Sequence, residues 1–274
     1  MASADVPISY CGLPPAPDTL WSRWNLDPIL IACLIVCAAA YVFGNVKAAR
    51  TGQRIPRWRQ TTFYIGWTIA AAALISPLCP LSVSLFAARV GQHMILALIA
   101  APLVAAGRPF ALAGLLWHRP IARQTAIAPL CASTMFAALI WFWHAPAPYV
   151  ETFRSTFVYW SMHVTVFGAA LWLWTSLIDA PPAGAPRVIV AGLISTVQMG
   201  FLGALITFAP RPLYTPHLLT TVAWGLTPLQ DQQLGGAIMW VPGCIVFFVI
   251  SMLILWNDIV RAELAATPAK AVSR

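Results

Sequence analysis

Residues 89–100, RVGQHMILALIA, decide the fold because they combine an apolar run with polar side chains in its first third. The apolar stretch that contains them covers 85–106, which matches the roughly 20 residues that a helix needs to cross a membrane. Inside a membrane, ionisable groups are costly and normally face a bundle interior, where partners are available. Arg89, Gln92 and His93 therefore predict a membrane-spanning helix with one side turned toward other helices.

The composition of the whole chain is that of an integral membrane protein. Of its 274 residues, 60% are hydrophobic and 9% are charged, whereas soluble domains carry roughly 25% charged residues. The formal net charge is +8, but the basic residues cluster between apolar runs, which argues against a nucleic-acid partner. Residues 1–28 have neither a basic start nor an apolar run, so no cleavable signal peptide is expected.

Apolar stretches long enough to cross a membrane recur along the chain, and no linker or internal repeat divides them. The sequence therefore predicts an all-α, polytopic membrane protein, a seven-transmembrane-helix bundle that forms a single domain over residues 1–274. Its surroundings are expected to be membrane lipid. The predicted spans are 29–46, 62–81, 85–106, 124–144, 155–178, 187–208 and 232–256.

Basic residues predict the orientation of this bundle. The 46–60 loop after the first span carries five lysines and arginines, and the positive-inside rule places such a loop in the cytoplasm. The 107–123 loop and the C-terminal tail are also basic, whereas the opposite loops carry few basic residues. An odd number of spans then predicts an N-out/C-in topology.

In this topology, polar residues from separate spans meet at one level near the outer side. His93 and His163 each lie about eight residues from the outer end of a span, which places both about 12 Å below the outer boundary. His144 closes the outer end of span four, and Asp231 opens span seven beside the same mouth. Met239 lies at a similar depth in span seven. The sequence therefore predicts an outward-facing polar cluster.

The residue types in this cluster point to copper. Imidazole nitrogen suits several transition metals, whereas thioether sulfur favours Cu(I), and the lack of a carboxylate cage argues against magnesium or calcium. Arg89 lies one turn outward from His93, where its charge disfavours imidazolium and its side chain is expected to snorkel to the interface. The candidate metal ligands are His93, His144, His163, Met94, Met239 and Asp231.

Other interpretations of the same residues stay open. A single buried histidine is commonly satisfied by a neighbouring backbone or hydroxyl group, and a buried methionine commonly packs in the core. The pattern also fits a haem-binding electron-transfer protein with His93 and His163 as axial ligands, or a copper or proton transporter. An enzyme is not expected, because the sequence shows no nucleophile with an adjacent base and no phosphate loop.

The remaining cysteines and histidines are expected to have structural roles. The six cysteines are scattered, with no CxxC motif and no spacing typical of secreted disulfide domains. Cys33 and Cys37 share one face of the first span and are interpreted as small hydrophobic residues. His118 and His217 are expected at the protein surface, and Cys11 and Cys79 are expected near the outer surface of the membrane.

Several motifs resemble those of the polytopic CtaG family, the assembly factors of haem-copper cytochrome c oxidases. They are GQHMILALIAAPLVAAGRP (91–109), WHAPAPYVE (143–151), the span with His163, and DQQLGGAIMWVPG (231–243). The resemblance extends from about span two to the end of span seven. It implies a bacterial inner-membrane protein that takes part in oxidase maturation, with oxidase subunits and other copper chaperones as partners.

Combined with the polar cluster, the resemblance predicts that the protein holds Cu(I) transiently in an outward-facing His/Met cluster. Delivery of this copper to the oxidase catalytic subunit is the expected role, and Cys33 and Cys37 are not part of the family pattern. The motif residues carried over by position are His93, Met94, His144, His163, Asp231, Gln232, Gly235, Gly236, Met239 and Trp240.

Overall fold

The structure, a computed structural model, describes residues 9–116, 127–180 and 184–266, and within these ranges every regular element is a helix. This confirms the all-α class, while His118 lies outside the described residues. The α-helices are α1 (Pro28–Arg50), α2 (Arg57–Ile75), α3 (Leu78–Ser84), α4 (Phe86–Met94), α5 (Ala101–Ala106), α6 (Pro109–Leu116), α7 (Ala128–His144), α8 (Pro146–Arg154), α9 (Thr156–Ile178), α10 (Ala185–Thr207) and α11 (Pro228–Ala266).

Several of these helices are long and apolar enough to cross a membrane. In the described part of the chain, five candidates are continuous, and the number rises to seven if α2 with α3 and α7 with α8 each count as one bent span. The helices therefore fit a multi-pass membrane protein, and the number of seven spans stays a prediction. α1 exposes Ile35, Val36 and Phe43, as expected for a helix that faces lipid.

Prolines end two of the helices, and one of these breaks lies inside a predicted span. The span predicted over 62–81 is wrong as a continuous helix, because the chain bends by 47° between α2 and α3. Ser76 is extended there, with φ −67° and ψ 171°, because the ring of Pro77 disfavours the helical conformation of the residue before it. Ala145 stands before Pro146 in the same way, and α7 and α8 meet at 71°.

α4 and α5 belong to one helix that contains a π-helical turn at Ile95–Ala100. Pro102 has no N–H to donate, and the carbonyl of Ala97 instead accepts a hydrogen bond from the indole nitrogen of Trp174 on α9 at 2.7 Å. Turns of this kind are frequent at functional sites. This turn begins two residues after His93, so it affects the rotation of α4 near His93 relative to α9.

Small residues bring α10 and α11 close together. A Cβ on Gly203 would lie 2.9 Å from the carbonyl oxygen of Gly236 and 2.8 Å from the Cβ of Trp240. Such residues let membrane helices approach backbone to backbone. The close contact fixes the first turns of α11, which carry Asp231.

A disulfide ties the N-terminal segment to α3. Cys11 and Cys79 are 68 residues apart in sequence, and their Cα atoms are 5.6 Å apart. Nearby, the carbonyl of Pro15 accepts hydrogen bonds from the Ser84 hydroxyl at 2.9 Å and the Trp224 indole at 3.3 Å. The N-terminal segment, α3 and the loop before α11 are therefore joined, and we call this part of the molecule the disulfide end.

Candidate functional site

The polar residues of α4 contact different neighbouring helices. Arg89 donates from Nη1 to the hydroxyl of Thr152 on α8 at 2.6 Å, and Gln92 donates from Nε2 to the carbonyl of Ala73 on α2 at 2.7 Å. His93 lies beside histidines of α7 and α9. The apolar helix tolerates these polar side chains because they face the bundle interior, as the sequence predicted.

His93, His144 and His163 form a buried group, which we call the histidine cluster. The three residues are 3%, 5% and 4% exposed, respectively. The ring centre of His93 lies 5.3 Å from that of His163 and 6.1 Å from that of His144, in edge-to-face arrangements. The matched depth of His93 and His163 thus correctly predicted that they are neighbours in the fold.

Hydrogen bonds orient two of the three rings. The Nδ1 atoms of His144 and His163 donate to the carbonyls of Ile140 and Tyr159, at 2.8 and 3.0 Å. A carbonyl can only accept, so Nδ1 carries the proton and Nε2 keeps its lone pair. In the described part of the chain, Nε2 of His163 and both ring nitrogens of His93 are buried without a hydrogen-bond partner. Leaving such atoms unpaired costs about 1–3 kcal/mol each.

The histidine cluster does not form a closed metal cage. Within residues 9–116, 127–180 and 184–266, no three His, Cys, Asp or Glu side chains stand close enough to hold a metal ion as a group. The rings instead form two pairs that share His93. A pair of imidazoles differs from a structural zinc site, which takes four ligands in a tetrahedron. Imidazole nitrogen is a ligand that suits zinc, copper, iron and nickel.

Arg89 is fully buried, so the expectation that it snorkels to the interface is wrong. Its guanidinium carbon lies 4.1 Å from the ring centre of Phe153, 5.3 Å from that of Tyr149 and 5.6 Å from that of Tyr159. These aromatic faces attract the cation and hold it beside the histidine cluster. Its Nε and Nη2 atoms have no hydrogen-bond partner among the described residues. Burial and this fixed positive charge both disfavour a charged imidazole nearby, and the neutral ring is the form that binds metals.

The methionines near this level are buried in the hydrophobic core. Met94 and Met239 are 6% and 0% exposed and belong to the core cluster that also contains Phe86 and Tyr159. Core packing accounts for this placement. A role of Met94 and Met239 as ligands therefore stays a prediction.

Asp231 caps α4 from the first turn of α11. Its carboxylate is fully buried and accepts hydrogen bonds from the backbone N–H groups of Phe86 at 2.7 Å and Ala87 at 3.1 Å. A negative charge at a helix N-terminus is favourable, because the first N–H groups of the helix have no partner within it. Asp231 thus positions the helix that carries Arg89 and His93, and this engagement of both oxygens gives it a structural role.

The loop between α10 and α11 is held by a second side chain of α11. Oε1 of Gln232 accepts from the backbone N–H of Leu213 at 2.6 Å, and its Nε2 donates to the carbonyl of Ile206 at 3.2 Å. Both the oxygen and the nitrogen of the Gln232 amide therefore hold the start of the loop that follows α10.

His217 is buried, so the expectation of a surface residue is wrong. It is 2% exposed, its Nε2 lies 2.6 Å from the hydroxyl of Tyr149, and its ring centre lies 5.4 Å from that of Phe153. The loop folds inward because these aromatic side chains offer His217 an apolar surface and a hydroxyl partner. Burial, with a contribution from the nearby charge of Arg89, lowers the pKa of His217 to about 3.

Cys33 and Cys37 are exposed on α1, where the chain presents an apolar surface.

Tyr159 is a site residue that the sequence did not indicate. Its ring lies 4.3 Å from the ring of His163, and its hydroxyl lies 3.2 Å from the sulfur of Cys11 and 3.7 Å from that of Cys79. It therefore connects the histidine cluster to the disulfide end.

A family model matches most of the chain. It covers residues 39–260 and is described as cytochrome c oxidase caa3 assembly factor. No curated protein and no solved structure matches the chain. The matched range contains the histidine cluster, Arg89 and Asp231, whereas Cys11 lies before it.

Proposed function

Because the chain belongs to the family of cytochrome c oxidase caa3 assembly factors, we propose that it holds Cu(I) transiently at the histidine cluster. Copper is its cargo, delivered to the catalytic subunit of a haem-copper oxidase in the bacterial inner membrane. The protein acts without catalysing a reaction. The observation that carries this proposal is the meeting of the buried imidazoles of His93 and His163, where both ring nitrogens of His93 and Nε2 of His163 have no hydrogen-bond partner in the described part of the chain.

The hydrogen bonds of the histidine cluster support this proposal. Metal-ligating histidines usually donate one ring N–H to a carbonyl or carboxylate, which fixes the ring and leaves the other nitrogen for the ion. His144 and His163 have this arrangement through Ile140 and Tyr159. His93 lies beside both rings, so that it completes a pair of imidazoles with either His144 or His163. Met94 and Met239 are the proposed thioether ligands, because soft sulfur favours Cu(I).

The proposed orientation places the histidine cluster near the periplasmic side, with the N-terminus outside and the C-terminus inside. The positive-inside rule supports it through the basic 46–60 loop. The Cys11–Cys79 disulfide supports it independently, because disulfides persist in oxidising compartments such as the periplasm.

Labelling of loop cysteines tests this orientation. Gln53 and Leu219 are exposed in the loops on opposite sides, so we expect an impermeant maleimide to label Leu219→Cys and not Gln53→Cys in intact spheroplasts. Both variants should react after lysis, which controls for accessibility. Labelling of Gln53→Cys with protection of Leu219→Cys would reverse the topology and move the histidine cluster to the cytoplasmic side.

The haem alternative is less well supported by the cavity beside His163. The cavity that reaches His163 has a volume of about 100 Å³, whereas pockets for drug-sized ligands have about 300–1,000 Å³. Haem bound through His93 and His163 would give the purified protein a strong visible absorption band. Colourless protein that contains copper supports copper delivery instead.

Competition titrations against chelators of known affinity test the binding of copper. We expect purified protein to bind Cu(I) more tightly than Zn(II), and the double variant Met94→Ala/Met239→Ala to reduce this preference by about tenfold. Asp231→Asn is the matched control, because its carboxylate caps a helix and is not expected to select a metal. An unchanged preference in the double variant would limit the methionines to packing. Equal affinities for both metals in the wild type would contradict a Cu(I) site.

A further inference from the structure

The Cys11–Cys79 disulfide lies one side chain away from the histidine cluster. The hydroxyl of Tyr159 contacts the sulfur of Cys11 at 3.2 Å and that of Cys79 at 3.7 Å. The same tyrosine accepts the Nδ1 hydrogen bond of His163 through its carbonyl, at 3.0 Å. An ion held by the two sulfurs would therefore be separated from His163 by Tyr159.

The charges around Tyr159 favour an anionic group at this place. Arg89 lies 5.6 Å from the centre of the Tyr159 ring, and neither of the two ion pairs in the described part of the chain includes it. A buried cation without a counter-charge is costly, and Cu(I) on neutral imidazoles would add to the positive charge. A disulfide carries no charge. Two thiolates with one Cu(I), in contrast, carry a net charge of about −1, which would offset Arg89.

We propose that Cys11 and Cys79, once reduced, form a bis-thiolate Cu(I) site that passes copper to the histidine cluster. This inference rests on the proposed function of copper delivery. Their Cα atoms are 5.6 Å apart, so both sulfurs can reach one ion, and thiolates are the soft ligands that select Cu(I). Cys11 is half-buried and Cys79 fully buried, so a reductant meets Cys11 first.

The chemistry needs a dithiol as the reductant. A thiolate of the dithiol attacks the sulfur of Cys11, the bond to Cys79 breaks, and a mixed disulfide forms. The second thiol of the reductant then releases Cys11 and leaves as a disulfide, so that two electrons reduce one S–S bond to two thiols. Cu(I) next replaces the two thiol protons, which pass to solvent, and the copper keeps its oxidation state.

Selective blocking of the other thiols tests the proposal on the complete protein. N-ethylmaleimide first blocks the free cysteines of the oxidised protein, while the disulfide protects Cys11 and Cys79. A phosphine then reduces the disulfide, and Cu(I) is added. We expect copper bound per protein to rise about twofold over the oxidised, blocked sample, with sulfur ligands in the copper X-ray absorption spectrum. The residues blocked are Cys33, Cys37, Cys131 and Cys244.

Matched variants show where the additional copper binds. Cys79→Ser and Cys11→Ser each lose the disulfide, so the remaining thiol is blocked as well and reduction should add no copper. The comparison of oxidised and reduced wild type needs no variant, so the test stands even if a substitution prevents folding. A rise that persists in both variants would overturn the thiolate site.

The two proposals fail in different ways. If blocked, oxidised protein binds copper through nitrogen and reduction adds none, the thiolate site is contradicted and the histidine cluster stands. If only reduced protein binds copper, and through sulfur, the histidine cluster is contradicted as a copper site. The thiolates then bind copper without the transfer step, which overturns the proposed transfer.

Discussion

Replacing His93 with alanine is expected to lower oxidase activity in the host membrane by more than about tenfold, since even residues that only orient metal ligands commonly contribute 10- to 100-fold. The abundance of the protein is expected to stay nearly unchanged. Neither ring nitrogen of His93 has a hydrogen-bond partner among the described residues, so its removal leaves no polar group unpaired. Oxidase assays beside immunoblots of the same membranes measure both quantities.

His217→Ala is the matched control, because His217 is an equally buried histidine outside the histidine cluster. Its loss removes the partner of the Tyr149 hydroxyl, so abundance and oxidase activity should fall together and leave activity per molecule constant. A parallel fall of abundance and activity in His93→Ala as well would mean that His93 only supports the fold.

Replacing Asp231 with alanine is expected to destabilise the protein more than any other single change at this site. The substitution removes the acceptor for two backbone N–H groups at the start of α4 and leaves them buried. Loss of a helix cap costs about 0.5–2 kcal/mol in general, whereas an N–H group that is left buried and unpaired costs about 1–3 kcal/mol. A loss of this size lowers the abundance of a protein several-fold in cells.

Asp231→Asn separates the capping role from the charge, because the amide keeps one oxygen that can accept from an N–H group. We expect a smaller fall in abundance than for Asp231→Ala, measured by immunoblot and by thermal unfolding in detergent. Normal abundance of Asp231→Ala with altered copper affinity would contradict the structural role and return Asp231 to the set of ligands.

The proximity of His93 and His163 could be predicted in part from the helical rise. In the predicted seven-span topology the spans of His93 and His163 start at the same boundary, so equal distance along each helix predicts equal depth. The 5.3 Å between their ring centres shows that the two helices also turn these residues toward each other. The polar residues of an apolar helix face inward for the same energetic reason.

The break in the predicted 62–81 span could have been found from the sequence. Pro77 and Pro80 stand close together there, and a proline disfavours the helical conformation of the residue before it. The prediction of a continuous span used only the length of the apolar stretch, and α2 and α3 together are long enough for one span.

Contacts that depend on irregular segments could not be predicted. Asp231 lies 145 residues from Phe86, and Cys11 lies 68 residues from Cys79, so no local spacing relates either pair. His217 is buried through the path of a loop, and loops follow no periodic pattern from which burial can be derived.

Copper X-ray absorption on purified, oxidised protein with its free thiols blocked tests most directly whether the histidine cluster holds Cu(I). The wild type is expected to retain copper with the scattering pattern of imidazole nitrogen, and His93→Ala is expected to lose most of that copper while it remains folded. Absence of copper from the wild type, or copper bound equally by the wild type and His93→Ala, would contradict the histidine cluster as the site of copper binding.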